Sequence, residues 1–202
     1  MVLARLLAGP VDAAARGLLG CRLTAGGVTV RLTEVEAYSG LGEDAASHAH
    51  RGRTPRNGVM FGPPGYAYVY FTYGMHWCLN VVCGPVGTAS AVLLRAGEVV
   101  AGLAVARSRR PAARTDVELA RGPARLCQAL AIDRAADGVS LLDGGAVQLT
   151  RPAKRISPTQ IVAGPRVGVT DEHDRLWRFW LDGDATVSVY RRHVPKARPP
   201  AR

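Results

Sequence analysis

Between residues 66 and 82 the chain alternates in a way that a β-hairpin satisfies and a helix does not. Residues 66–73 read YAYVYFTY, placing Tyr66, Tyr68 and Tyr70 on one face and Val69, Phe71 and Tyr73 on the other. Tyrosine and valine suit a pleated, half-buried surface. Gly74 breaks the run, and residues 76–82 return beside it as the partner strand. Tyr73, next to that glycine, falls at the hairpin tip. A large ring there has little core to fill and is expected to protrude.

A second strand leads into this segment. The turn Ala25-Gly26-Gly27 starts a strand over residues 28–37, with Val28, Val30 and Leu32 on one face. Simple alternation carries that face on into Glu34 and Glu36, so the strand is expected to leave the core at the floor of a cleft. A carboxylate there has two uses: pairing with one of the many arginines, or activating water. Glu34 and Glu36 stand about 7 Å apart by strand geometry. That spacing overlaps the two-carboxylate arrangement of inverting glycoside hydrolysis. Spacing alone leaves both uses open.

The rest of the chain reads coarsely. A helix covers residues 11–19 and stops at Gly20, and a short apolar strand covers 89–95. A second helix is expected over 98–109, and another opens at Pro123. Residues 151–164, with Pro152 and Pro158, read as a loop. Short closing strands are expected at 166–170, 177–181 and 186–190. Strands outnumber helices without strand–helix–strand alternation, which predicts an α+β class with a mostly antiparallel sheet. The 202 residues suit one domain over 1–192, followed by a mobile basic, proline-rich tail at 193–202.

A formal charge of +10 points to a polyanionic partner, most simply nucleic acid. With 48% hydrophobic residues the chain is not a disordered tail protein. No apolar run reaches the ~20 residues of a membrane span. No signal sequence opens the chain, so a cytoplasmic location and no membrane partner are expected. Cys21, Cys78, Cys83 and Cys127 form no CxxC pair. Cys78 and Cys83 near His76 sit in an apolar run that suits buried thiols better than zinc. The loop Arg51-Gly52-Arg53-Thr54-Pro55-Arg56-Asn57 offers guanidiniums, a hydroxyl and amides to phosphate oxygens, or is merely solvated. Tyr38, His48 and Tyr70 could wall a flipped base. The phosphate-cradle motifs GxxxxGK[ST] and GxGxxG and the GxSxG elbow do not occur.

TEVEAY, ASHAHRGRTPRN, YVYFTYGMHWCLN, VLLRA, GPARLCQAL and RVGV, in this order, resemble the alkyladenine (3-methyladenine) DNA glycosylase family from about Leu6 to Arg191. The resemblance implies a compact α+β domain with a curved, partly open barrel-like antiparallel sheet flanked by helices. It implies a protruding hairpin that enters the DNA minor groove, and no metal or organic cofactor. The implied partner is duplex DNA carrying an alkylated or deaminated purine, bound by a monomer. By the same resemblance Glu36 activates water, which Arg95 and the Val167 carbonyl hold beside it. Tyr38 stacks on one face of the flipped base, with His48 and Tyr70 on the other. Asn80 crowds a guanine amino group, and Tyr73 fills the gap left by the base. Arg53, Thr54 and Met75 contact the DNA backbone and groove. The chain departs from the pattern by one extra residue between Tyr38 and His48, and by His76 and Trp77 where tyrosine or phenylalanine is more usual. A non-catalytic nucleic-acid-binding module is the alternative, but it would not need Glu36 aimed into a pocket. A metal-dependent phosphodiesterase would need a carboxylate cluster.

Overall fold

The computed structural model describes residues 3–152 and 154–192, so the tail expected at 193–202 lies outside the described residues. Two short helices open the chain, α1 (Leu3–Leu7) and α2 (Val11–Leu18). In α2 the buried residues Val11, Ala14, Ala15 and Leu18 recur at helical spacing and face the sheet. Strands β1 (Arg22–Ala25) and β2 (Val28–Tyr38) follow, joined through Gly26 and Gly27 at φ 54° and 76°. Left-handed backbone at both turn residues matches the twist of a tight hairpin, which glycine adopts without steric cost.

The expected tyrosine hairpin is present as β3 (Ala67–Thr72) and β4 (His76–Cys83), paired antiparallel from Ala67 opposite Val81 to Thr72 opposite His76. Then come β5 (Ser90–Ala101), α3 (Leu103–Arg109), α4 (Pro123–Leu130), β6 (Val147–Thr150), β7 (Ile161–Gly164) and β8 (Arg178–Leu181). The strands form one antiparallel sheet in the order β3-β4-β5-β2-β1-β6. β8 pairs with the later half of β2 and with β7. The sheet curls into a half-barrel, and the class is α+β as expected. Helices α2 and α4 cover the side that carries the main core. Each fully buried leucine there, such as Leu18, Leu32, Leu94 or Leu126, contributes about 1.5–3 kcal/mol. Among the described residues no helix is long and apolar enough to cross a membrane.

Several expectations need correction. Residues 98–101 continue β5, and helix α3 begins only after Gly102, whose φ of 74° turns the chain. Cross-strand pairing with β2 overrides local helical preference there. Residues 161–164 are strand β7 and not loop, because β8 supplies their partner from 17 residues or so further on. Residues 166–170 and 186–190 form no strand; their polar groups bind side chains of the site instead.

The most consequential correction lies in β2. Val28, Val30 and Leu32 join the main core, but so do Val35 and Ala37. The alternation changes phase at Thr33, where Leu32 opposes Gly97 and Glu34 opposes Ala96, leaving Thr33 as an extra residue. The next step, Val35 opposite Leu94, leaves Arg95 extra on β5. Paired bulges of this kind re-aim side chains. Gly97 permits the close crossing, since a Cβ there would collide with the Arg31 carbonyl and the Val30 side chain. Glu34 and Glu36 therefore face away from the stripe that alternation assigned them.

Candidate active site

On that other face a cleft of about 400 Å³ opens, and none of its lining residues belongs to the main core. β2 contributes Tyr38, β3 contributes Tyr68 and Tyr70, β4 contributes Asn80, and β5 contributes Leu93 and Arg95. Loops add His48 from one side and Val167 to Thr170 from the other. Alternation sets this up: on β4 Leu79, Val81 and Cys83 enter the core while Cys78 and Asn80 turn to the cleft.

Glu36 lies fully buried beneath the cleft. Its Oε1 accepts from the Val167 amide at 2.7 Å, and its Oε2 accepts from the Tyr38 hydroxyl at 2.9 Å and Arg95 Nη1 at 3.2 Å. Burial, and then the Glu36 carboxylate, push the Tyr38 phenol well above its ordinary range, so it keeps its proton and donates it. Glu34, equally buried, is bound differently. Arg95 Nε, Arg178 Nε and Ser188 Oγ reach its Oε1 at 2.8, 2.7 and 2.8 Å, and the Ser188 amide reaches Oε2 at 2.6 Å. Burial works to raise the Glu34 carboxyl, but Arg95 and Arg178 outweigh it and hold it below its usual range.

Aromatic rings form the opposite wall. The His48 and Tyr70 rings meet edge to face at 4.5 Å, and His48 Nδ1 lies 3.0 Å from the Tyr68 hydroxyl. Partial burial of the ring, and then the Arg56 guanidinium, lower the His48 pKa, which keeps the imidazole neutral at neutral pH. The Asn80 amide donates to the Tyr68 carbonyl at 3.1 Å and faces the cleft. Tyr73 stands at the rim, 80% exposed, with φ of 51°. A bulky residue in left-handed backbone is strained, and such strain tends to sit at functional positions. Met75, Arg53 and Thr54 are exposed and lie outside the cleft lining. All four cysteines are buried free thiols, and among the described residues no three His, Cys, Asp or Glu converge as metal ligands do.

A model of the methylpurine-DNA glycosylase family matches residues 5–185. The chain belongs to the methylpurine-DNA glycosylase family. It is 57% identical over 176 residues to a protein of Streptomyces avermitilis, spanning 86% of this chain and 82% of that one. A Nocardia farcinica protein is 57% identical over 183 residues, spanning 89% and 86%. A Frankia casuarinae protein is 52% identical over 199 residues, spanning 94% and 92%. Each of the three carries the name "Putative 3-methyladenine DNA glycosylase".

Of the residues expected at the site of this family member, the fold brings Arg95, Tyr38, His48, Tyr70, Asn80 and Tyr73 to one cleft, with Glu36 buried beneath it and bonded to Arg95. Val167, expected to hold a water through its carbonyl, also gives its amide to Glu36 at 2.7 Å. Sequence reasoning missed Arg178, Ser188 and Asn57. Buried Asn57 ties the 48–57 loop by donating to the carbonyls of His48 at 2.8 Å and Gly52 at 3.0 Å. Its only signal in sequence was an asparagine within a loop, a residue type that bonds neighbouring backbone. Arg178 and Ser188 carried none, since their partner is more than 140 positions away.

Proposed function

We propose that the chain is a monofunctional DNA glycosylase that turns an alkylated or deaminated purine, such as 3-methyladenine, out of duplex DNA and hydrolyses its N-glycosidic bond. The product is an abasic site for base-excision repair. The observation that carries this reading is the hydrogen bonding of Glu36. Three donors occupy its carboxylate, and about four lone-pair positions exist on such a group. One remains for a water.

Cleavage builds positive charge on the sugar. Glu36 stabilises that charge and takes the proton of the attacking water. Arg95 and the Val167 backbone hold Glu36 and that water in place. The base stacks on Tyr38, with His48 and Tyr70 on its other face. Each ring contributes about 1–2 kcal/mol toward a cationic purine once water is excluded, and a neutral His48 does not repel it. Asn80 crowds a guanine amino group. Tyr73 fills the gap in the stack, and Arg53, Thr54 and Met75 meet the DNA backbone and groove. The enzyme acts as a monomer inside the cell in this reading. Water is the nucleophile in this reading, which the exposure of Lys154 and its absence from the cleft lining support.

The test is direct. Duplexes carrying single 3-methyladenine analogues, 7-methylguanine, hypoxanthine or ethenoadenine are incubated with protein in EDTA and then treated with alkali. Strand breaks that appear only after alkali support the reading. No alkali-labile site on any of the duplexes, or a borohydride-trapped protein–DNA adduct, overturns it.

A further inference from the structure

A buried arginine on the far side of the Tyr38 ring ties the two walls of the cleft together, and no role above uses it. Arg166 is 1% exposed. Its Nη1 and Nη2 hold the fully buried Asp44 carboxylate at 2.6 and 2.8 Å. Nη1 also donates at 3.0 Å to the carbonyl of Ala37, the residue between Glu36 and Tyr38. The guanidinium carbon lies 4.6 Å from the centre of the Tyr38 ring. Tyr38 borders the cleft and Arg166 does not, so the guanidinium covers the ring face turned away from the cleft.

Both partners lead on to the reacting groups. Val167, next in the chain, gives its amide to Glu36 at 2.7 Å. Asp44 accepts from the amides of Ser39 at 3.1 Å and Ala46 at 3.2 Å, and its carbonyl accepts from Ser47 at 2.9 Å. It thereby shapes the segment that ends on His48. One ion pair thus touches the end of β2, the 39–48 segment and the segment that starts at Arg166.

Stability does not demand this arrangement. A buried ion pair can be exchanged for apolar residues of like volume with little or no loss. Nor is the guanidinium placed for complete hydrogen bonding, because its buried Nε has no partner. Its placement is explained by the guanidinium over the Tyr38 ring and the forked bond to Asp44, which lysine could not reproduce.

We propose that Arg166, clamped by Asp44, is a positioning residue for base excision, fixing the Tyr38 ring plane and the Val167 amide and thereby the stance of Glu36 toward the bound base. The inference rests on the glycosylase reading above. It predicts loss of rate without loss of fold, since a displacement of about 1 Å at reacting groups costs up to about a hundredfold.

The experiment compares wild type, Arg166→Lys and the double variant Arg166→Met/Asp44→Leu. Melting temperature, single-turnover excision at saturating protein, and exchange of the Val167 amide are measured on each. The double variant is expected to melt near wild type yet excise about tenfold more slowly or worse. Wild-type melting together with a rate within about twofold of wild type overturns the proposal. Should the double variant fail to fold, Arg166→Lys decides on the same two criteria, because it keeps the charge and loses the plane. Amide exchange needs no activity and separates this inference from the function it rests on. Faster exchange at Val167 in Arg166→Lys is expected, and unchanged exchange overturns the clamp even if wild type releases no base.

Discussion

Glu34 and Glu36 sit two residues apart on one strand, both fully buried and both bound by Arg95, yet their surroundings part company. Glu34 receives four hydrogen bonds, from Arg95, Arg178 and both donors of Ser188. Three of these crowd onto Oε1 and one reaches Oε2, and neither Arg178 nor Ser188 lines the cleft. Glu36 receives three, from Val167, Tyr38 and Arg95, and lies under an open cleft. Burial alone therefore does not distinguish the two acids. The place of their donors does: all three that reach Glu36 come from residues lining the cleft, whereas Arg178 and Ser188 do not line it. Glu34 orients Arg95, and Arg95 in turn presents its second nitrogen to Glu36.

The sharpest way to break this contrast is Glu36→Gln. The amide keeps the shape but cannot take a proton, so excision should fall by about a thousandfold while the melting temperature and duplex affinity hold. Residual excision above about one per cent of wild type, in a quench assay for alkali-labile sites, removes Glu36 from the base role. The reciprocal change, Glu34→Gln, should act on the fold. It strands Arg95 and Arg178 with an amide, and breaking a buried pair costs about 3 kcal/mol or more. Denaturant melts that match wild type would show that the four bonds at Glu34 are worth little.

Acid should probe the Glu34 side of the contrast more gently. A carboxyl held low in the folded protein adds stability that is fully present above its unfolded value and is lost as pH falls through its folded value. Burial opposes ionisation of Glu34 and Asp44, but Arg95 and Arg178 for the first, and Arg166 for the second, hold both below the usual range. Melting temperature should stay level above about pH 5 and fall below the ordinary carboxylate range. In Glu34→Gln the fall should be shallower, with Asp44 supplying the remainder. An identical slope in the two proteins would contradict the role given to Glu34. The smallest effect belongs to the rim. Tyr73 touches neither acid, so Tyr73→Ala should weaken lesion-duplex binding by about 1–3 kcal/mol and leave both carboxylate signatures intact. A large loss of melting temperature with affinity preserved would make Tyr73 part of the core instead.

Much of this was legible in residues alone. Period-two alternation and a glycine marked the β3–β4 hairpin, and an acidic pair at a strand end marked the cleft floor. Those signals are local, and local periodicity is what a strand imposes on its own sequence. Pattern also put Tyr68 and Tyr70 of the cleft lining on one face, because tyrosines that alternate on β3 must share a face wherever the strand goes.

Which face the two glutamates point to was beyond that logic. The phase change at Thr33 and Arg95 is a property of how β2 and β5 pair, and a bulge needs only one unpaired residue, with no composition of its own to announce it. The division of labour between the acids is likewise tertiary. Ser188, Arg178 and Val167 come from segments more than 120 positions beyond their partners, and only chain folding delivers those donors to one carboxylate and not the other. Sequence by itself determined the β3–β4 hairpin, its alternating tyrosines and the presence of two acids on β2. The tertiary structure decided which acid is held by residues of the cleft, because hydrogen-bond partners are groups that meet in space and leave no periodic trace along the chain.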